Sequence, residues 1–555
     1  MLRLVFVTYI FSLCVLNIVC MSIVNPGPKY PPTKGEVWPK PQHETTENTY
    51  FTLNPSNFKV KVTNHTCATV TSAIERYSYI IKSKSGGRRE RKIVPGSKRK
   101  RHGDDTQDLH QGALQELEIQ LTEPCEDYPY LGMDESYRLV ISATSKLESA
   151  SIWGVIRGLE TFAQKFYFSD DMNEIRINAS QVDDFPRYQH RGLLLDTSRH
   201  YISLSNILKT LDAMSMNKMN VFHWHIVDDQ SFPYQSEKFP DLSLRGAYHS
   251  SMVYTKEDIS RVVEYARVRG IRVLPEFDVP GHTRSWGNAY PNILTDCYRG
   301  DEVIGLGPMN PIRNTTYNLI RDLFQEVQTW FPDKYLHVGG DEVIMDCWRS
   351  NPEIREYMRN NKLTVGDLHA MFMRNTLPLL ANNSKVVVWQ EVFDEGVPLS
   401  NDTLVQVWKY SWIDEMVKVL KAGHRVLFSS SWYLNHLGGE WGALYAADPR
   451  QMVRDATGSD ALLPAIVGGE ACMWGEMVDD RNVISRVWPR ASAVAEKLWS
   501  AEEPAGAAGA GGRRWRNSRA SPPPEAYHRL EEHVCRMNRR GVAAQPASGP
   551  GFCLP

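Results

Sequence analysis

Leu336-His337-Val338-Gly339-Gly340-Asp341-Glu342 reads as a short buried strand that ends in two glycines and then two adjacent carboxylates. Glycine at that point lets the backbone turn and lets another group approach it closely. An acidic pair just before the apolar Val343-Ile344-Met345 is costly unless something uses it. Side chains alternate along an extended chain, so Asp341 and Glu342 should point in different directions. The pair therefore cannot flank one scissile bond from opposite sides, as the paired carboxylates of many hydrolases do. It can divide labour instead, one group delivering a proton while the other stays ionised. A helix start is the alternative reading, because acidic side chains complement the dipole there.

The chain on either side repeats this strand-then-polar pattern. Eight short β-rich runs occupy residues 192–197, 221–228, 271–277, 335–340, 385–390, 404–408, 425–430 and 465–471. Amphipathic helical stretches, such as 205–216, 256–269 and 315–330, lie between several of them. Eight β/α units predict an α/β fold, a (β/α)8 TIM barrel. A doubly wound open sheet is the rival, but no Gly-rich phosphate fingerprint follows the first strand. The barrel, with a final helix at 526–539, is expected to occupy residues 187–555. Residues 23–186 mix strand-like runs at 58–62 and 137–141 with a helix at 151–164, which carries Ile152, Val155, Ile156, Leu159 and Phe162 at helical spacing. This predicts a small α+β domain ahead of the barrel. Within it, residues 82–112 form a basic insert that reads as a flexible, solvated loop and a candidate for proteolytic processing.

Charge is near balance, with 63 basic and 65 acidic residues, so nothing draws the whole chain toward nucleic acid. Residues 1–22 hold one early Arg3 and then an apolar run, and read as a secretory signal peptide; a signal anchor is the alternative. No later segment is apolar and long enough for stable membrane insertion, so the mature chain is expected to be lumenal, either lysosomal or secreted. Cysteine usage agrees with an oxidising compartment. Pairing by proximity gives Cys67–Cys125, Cys297–Cys347 and Cys535–Cys553, and leaves Cys472 as a buried thiol in Ala471-Cys472-Met473-Trp474. Sequons at Asn64, Asn178, Asn314, Asn382 and Asn401 are available for glycosylation.

Barrel active sites are built from the C-terminal ends of the strands. Those ends supply, in order, Asp196 and Arg199; His223, Trp224, His225, Asp228 and Asp229; Glu276, Asp278 and His282; Asp341 and Glu342; Trp389 and Glu391; Trp408; Trp432 and Tyr433; and Glu470, Trp474 and Glu476. Indole faces stack on the C–H faces of pyranose rings, while carboxylates and arginine bind hydroxyls, so this collection suits a sugar. Core packing is the plainer role for any single tryptophan. His223-X-His225 places two imidazoles on one strand face, a metal-binding arrangement, but the fifth and sixth strands end in Trp and supply no further ligands. No metal and no cofactor are expected.

The motifs at 191–201 (RGLLLDTSRHY), 222–234 (FHWHIVDDQSFPY), 275–282 (PEFDVPGH), 337–342 (HVGGDE) and 468–476 (GGEACMWGE) resemble those of β-N-acetylhexosaminidases of glycoside hydrolase family 20, most of all the animal lysosomal hexosaminidase subunits. The resemblance runs over nearly the whole mature chain, and the three cysteine pairs fit that group's pattern. It implies exo-acting, retaining removal of terminal β-linked GlcNAc or GalNAc, with the substrate's 2-acetamido oxygen as nucleophile. Glu342 would be the general acid, Asp341 would orient the acetamido N–H, and Tyr433 would hold the acetamido oxygen. Arg199, Asp228 and Glu476 would bind hydroxyls, Trp389, Trp408 and Trp474 would wall the pocket, and His282 would support the acid side. The resemblance also implies a homodimer.

One position departs from the family. In the human-type enzymes the pair after Trp-Tyr-Leu is Asn-Arg in the subunit that accepts 6-sulfated sugars and Asp-Leu in the one that rejects them; here it is Asn435-His436. A histidine there predicts partial tolerance of anionic substrates in acid. Two rival readings remain: a silent glycan-binding relative on the same scaffold and a metal-dependent barrel hydrolase.

Overall fold

A computed structural model describes residues 33–83, 109–169, 173–380, 384–436, 440–502 and 522–548. The expected signal peptide, most of the basic insert with its processing reading, Asn382 and Cys553 lie outside the described residues.

Eight parallel strands close into a barrel in chain order: His190–Asp196, Val221–His225, Arg272–Glu276, Tyr335–His337, Lys385–Trp389, Leu404–Val407, Arg425–Phe428 and Ile466–Met473, the last pairing with the first. They are numbered barrel strands 1 to 8 below. Helices such as Leu204–Met216, Lys256–Arg267, Asn314–Trp330 and Trp412–Lys421 alternate with them. Their starts are encoded locally: Thr255 and Thr364 each cap a helix in a reciprocal box with Asp258 and Asp367.

The barrel interior is layered. Val221, Leu274, Tyr335, Val387, Leu404, Leu427 and Val467 form an apolar cluster toward the starts of the strands. Leu194, Trp389, Cys472 and Trp474 cluster near their ends, with Trp408 and Tyr433 packed on them. Alternation decides which side chains enter. On barrel strand 2, His223 and His225 face inward, while Phe222 and Trp224 join the core shared with the helices.

Ahead of the barrel, a mixed sheet runs in the order Lys59–Asn64, Glu116–Leu121, Ser145–Ser149, Tyr137–Ile141, Ile175–Asp184, His43–Leu53, His110–Leu114. Two helices, Ala68–Ser83 and Ile152–Gln164, pack with it around a second core. The first of these was not expected. Its buried residues Thr69, Val70, Ala73, Tyr77 and Ile81 follow helical spacing, but its β-branched and tyrosine content hides it. The insert is also shorter than its sequence suggests: Lys82 and Ser83 finish that helix, and His110-Gln111-Gly112 belong to the edge strand.

Sheet and barrel are joined by buried charge. Glu135 accepts from Arg157 Nε at 2.9 Å, from Arg191 at 2.5 Å and from Asn220 at 3.2 Å. Lys218 lies 2.7 Å from Asp184, and the final helix Pro524–Arg539 adds an Arg529–Glu496 pair at 2.6 Å. Disulfides link Cys67 to Cys125 and Cys297 to Cys347; Cys535 is bonded as well, and Cys472 is a buried free thiol. Asn64, Asn314 and Asn401 are exposed. Asn178 is not: it is buried, its amide held by Tyr167 and by the Glu47 carbonyl, which counts against a glycan there. Among the described residues, no helix is long and apolar enough to cross a membrane.

Candidate active site

Barrel strand 4 stops at His337, earlier than its sequence suggests, because the chain turns left-handed at once. Gly339 and Gly340 have φ of 66° and 97°. A Cβ on Gly339 would lie 1.7 Å from Asp278 Oδ1, the same oxygen that accepts the Gly340 N–H at 2.8 Å. Only glycine permits that approach. Glu342 itself sits at φ 48°, an uncommon conformation for a residue with a Cβ. Backbone strain of this kind costs about 1–3 kcal/mol and concentrates at functional sites. The next helix begins only at Met345, with Ile344 at its N-cap, so the acidic pair is not a helix start. The two carboxylates differ in exposure after this turn, although both reach His282. The Asp341 side chain is 10% exposed and that of Glu342 56%.

His282, also left-handed at φ 54°, sits among the acidic groups. Its Nδ1 is 3.2 Å from Asp228 Oδ1, and its Nε2 is 3.7 Å from Glu342, 3.8 Å from Asp341 and 3.9 Å from Asp278. Burial opposes its charge, but the Asp228 bond and the Asp341 charge prevail and push it up to about 9. Arg199 bridges Asp196 at 3.1 Å and Asp228 at 2.9 Å, and lies 5.0 Å over the Trp474 ring. Glu476 is exposed and adds its field to Arg199. Burial opposes ionisation of Asp228, yet bonds from His225 and His282 hold its carboxyl well below the usual range.

Four aromatics form a box over this floor. Trp389 lies 6.3 Å from Trp408 and 6.1 Å from Trp474, and Tyr433 lies 6.1 Å from Trp408 and 6.4 Å from Trp474. A bridge to Cys472 pins the Tyr433 backbone, and burial raises its phenol well above its ordinary value, which keeps the O–H a donor. Trp408 donates to Glu391 at 3.0 Å; burial, then the Asp341 charge, raises Glu391. Trp224 and Trp432, candidates by position, stay out of the box: their indoles donate to Thr197 and to the Leu444 carbonyl within the outer core. Asn435 and His436 follow Tyr433, whose ring lies 5.9 Å from that of His436.

Sequence position alone missed the part played by Asp278, Glu276 and Glu391. They stand at strand ends, yet nothing in their spacing reveals their hydrogen bonds. His223, Glu276 and His337, and likewise Asp278, His282 and Asp341, bring potential ligand atoms within 4.8 Å of one another. In the first group, imidazoles and carboxylates are already paired: His223 lies 2.7 Å from Glu470 and 3.0 Å from Glu276, and His337 lies 3.1 Å from Glu276.

Carboxylates that can take hydroxyls and indole faces that can take a ring, gathered at the C-terminal mouth of a barrel, suit a sugar. Comparison with known proteins narrows this. The catalytic domain of glycosyl hydrolase family 20 matches residues 188–502, and a β-acetyl hexosaminidase-like domain matches residues 37–165. The β-hexosaminidase subunit alpha of Bos taurus is 41% identical over 93% of this chain and 94% of its own length. The subunit beta of Homo sapiens is 45% identical over 79% of this chain and 76% of its own. Among solved structures, a Flavobacterium johnsoniae chitobiase aligns with a TM-score of 0.77 and 30% identity, over 92% of this chain and 74% of its own. The chain belongs to glycosyl hydrolase family 20. Its activity is that of a β-N-acetylhexosaminidase, removing terminal GlcNAc or GalNAc by substrate-assisted, retaining catalysis.

Proposed function

We propose that Glu342 is the general acid and Asp341 the acetamido-orienting carboxylate of this reaction. The unequal exposure of the two side chains after the Gly339-Gly340 turn carries the reading: both reach His282 Nε2, but the Glu342 side chain stays open to solvent while that of Asp341 is buried. Glu342 gives its proton to the glycosidic oxygen as the C1–O bond breaks. The acetamido oxygen forms a bond to C1 from the opposite face, and an oxazolinium results. Asp341 accepts the acetamido N–H and balances its positive charge, while the Tyr433 O–H holds the acetamido oxygen. The Glu342 carboxylate then takes a proton from water, which opens the ring at C1; two inversions give retention. Arg199, Asp228 and Glu476 bind the hydroxyls of the terminal sugar and impose exo-action. Trp389, Trp408 and Trp474 wall it in, His282 supports the acid side, and Asn435 with His436 set tolerance at the sugar's 6-position.

The test is hydrolysis of chromogenic β-GlcNAc glycosides from acid to neutral pH by wild type and Glu342→Gln. Loss of a positioned general acid costs about 10²–10⁴-fold. The deficit is expected to be large with a poor leaving group and small with a strongly activated one. An equal deficit with both would remove Glu342 from the role. The relatives are named as subunits; we infer that this chain works as a homodimer, in the lysosome or outside the cell. A monomeric mass by light scattering would refute the dimer.

A further inference from the structure

Beneath the pocket, a row of buried ionisable groups runs through the barrel and ends on the sugar-binding floor. His190 lies 2.6 Å from Glu470, which lies 2.7 Å from His223; His223 lies 3.0 Å from Glu276, and Glu276 lies 2.6 Å from His225. The last link is His225 Nε2 to Asp228 Oδ2, at 2.6 Å. His225 thus has a carboxylate oxygen on each ring nitrogen. Asp228 and Glu276 are both held in the ionised form and can only accept, and a neutral imidazole has one N–H, so two bonds call for the doubly protonated ring. Burial disfavours that charge, but Glu276 and the bond to Asp228 outweigh it and push the ring up to about 10. Its edge also supports Trp474, with ring centres 4.9 Å apart at 75°.

We propose that His225 is a positioning residue of the hydrolase, an imidazolium anchored by Glu276 that fixes the Asp228 carboxylate and braces Trp474 without touching substrate. Asp228 is held by three cations: Arg199 and His282 on the pocket side and His225 behind. The pocket-side pair retains some exposure, 12% for Arg199 and 13% for His282. The rear one is locked inside the barrel, since Glu276 is itself bonded to Trp389 Nε1 at 2.8 Å. His225 and Arg199 share Asp228 Oδ2 while His282 holds Oδ1, so removing the rear contact leaves the carboxylate's orientation to the pocket-side pair alone. This inference rests on the assignment of Asp228 to sugar binding.

Two substitutions separate positioning from packing. In His225→Gln the amide can stand where Nε2 stands and still donate to Asp228. In His225→Asn it can stand only near Nδ1, toward Glu276. A misplacement of about 1 Å at a reacting centre can cost about 10²-fold, so His225→Asn is expected to lower kcat/KM by about that factor while His225→Gln keeps most of it. In an Asp228→Asn background, His225→Asn should add little. Equal losses in the two His225 variants, or a full further loss in the Asp228→Asn background, would overturn the proposal. Near-normal kcat/KM in Asp228→Asn alone would instead overturn the assignment of Asp228, and the proposal with it. Melting curves report whether each variant folds. Should His225→Asn not fold, Glu276→Gln replaces it in the same cycle: a smaller loss in the Asp228→Asn background than in wild type is expected, and an equal loss overturns the proposal.

Discussion

At the residue scale, the roles proposed for Glu342 and Tyr433 each depend on a backbone feature that side-chain identity does not reveal. The left-handed turn at Glu342 leaves its side chain open to solvent beside His282, and the bridge between Tyr433 and Cys472 holds the phenol against Trp408 and Trp474. A phenol raised by burial stays protonated across any useful assay range, so Tyr433 acts as a fixed donor. Removing one such donor to a developing charge costs about 10²–10³-fold in kcat. Tyr433→Phe is therefore expected to lose about that much kcat with KM little changed, measured on a simple aryl GlcNAc glycoside. A loss confined to KM would mean that the hydroxyl only binds ground-state substrate. The Asp341–Glu342 pair stood out in sequence as two carboxylates after two glycines, with a helix start as its other reading, which the helix beginning at Met345 removes. Asp278 was not assigned a part, because its bond to the Gly340 N–H joins strand ends far apart in the chain.

At the scale of elements, all eight barrel strands were legible. Each is apolar on its buried faces and turns polar at its C-terminal end, where the pocket lies. The hairpin of Leu294–Arg299 and Glu302–Met309 was not, since a long excursion after barrel strand 3 carries no repeated pattern. The distinction between Trp389 in the box and Trp432 in the outer core was also invisible, because it depends on where the strand stops and the turn begins. The short loop after barrel strand 7 holds Tyr433, Asn435 and His436 together. If His436 sets tolerance at the 6-position, His436→Leu should lower the rate on a 6-sulfated substrate relative to the unsulfated one. An unchanged ratio would leave His436 without that role.

Across the whole molecule, ionic groups cross the interior where a hydrophobic contact would be expected. Glu135 ties helix Ile152–Gln164 to barrel strand 1 through Arg157 and Arg191, and the buried histidine–carboxylate row ties barrel strands 1, 2, 3 and 8. Such groups make stability depend on pH. His223, His225 and His282 are pushed up to about 9, about 10 and about 9, against about 6.5 in an unfolded chain. Their contribution is complete below pH about 6.5 and is lost as pH rises through the folded values. Asp228, Glu276 and Glu470 are depressed, so their contribution is present above the unfolded carboxylate range and lost as pH falls toward their folded values. The melting temperature should therefore decline from about pH 7 to 10 as the three imidazoliums lose their protons. A melting temperature that rises over that alkaline range would contradict the ionic row.

The division of labour between Asp341, Glu342 and the substrate's own acetamido group is tested most directly by a series of β-GlcNAc glycosides in which the acetamido methyl carries progressively more fluorine. Fluorine withdraws electrons from the carbonyl oxygen and weakens it as a nucleophile, while the leaving group and the ring hydroxyls stay the same. The account predicts that kcat/KM falls steeply with each fluorine. A flat series would contradict it and would require a nucleophile supplied by the protein.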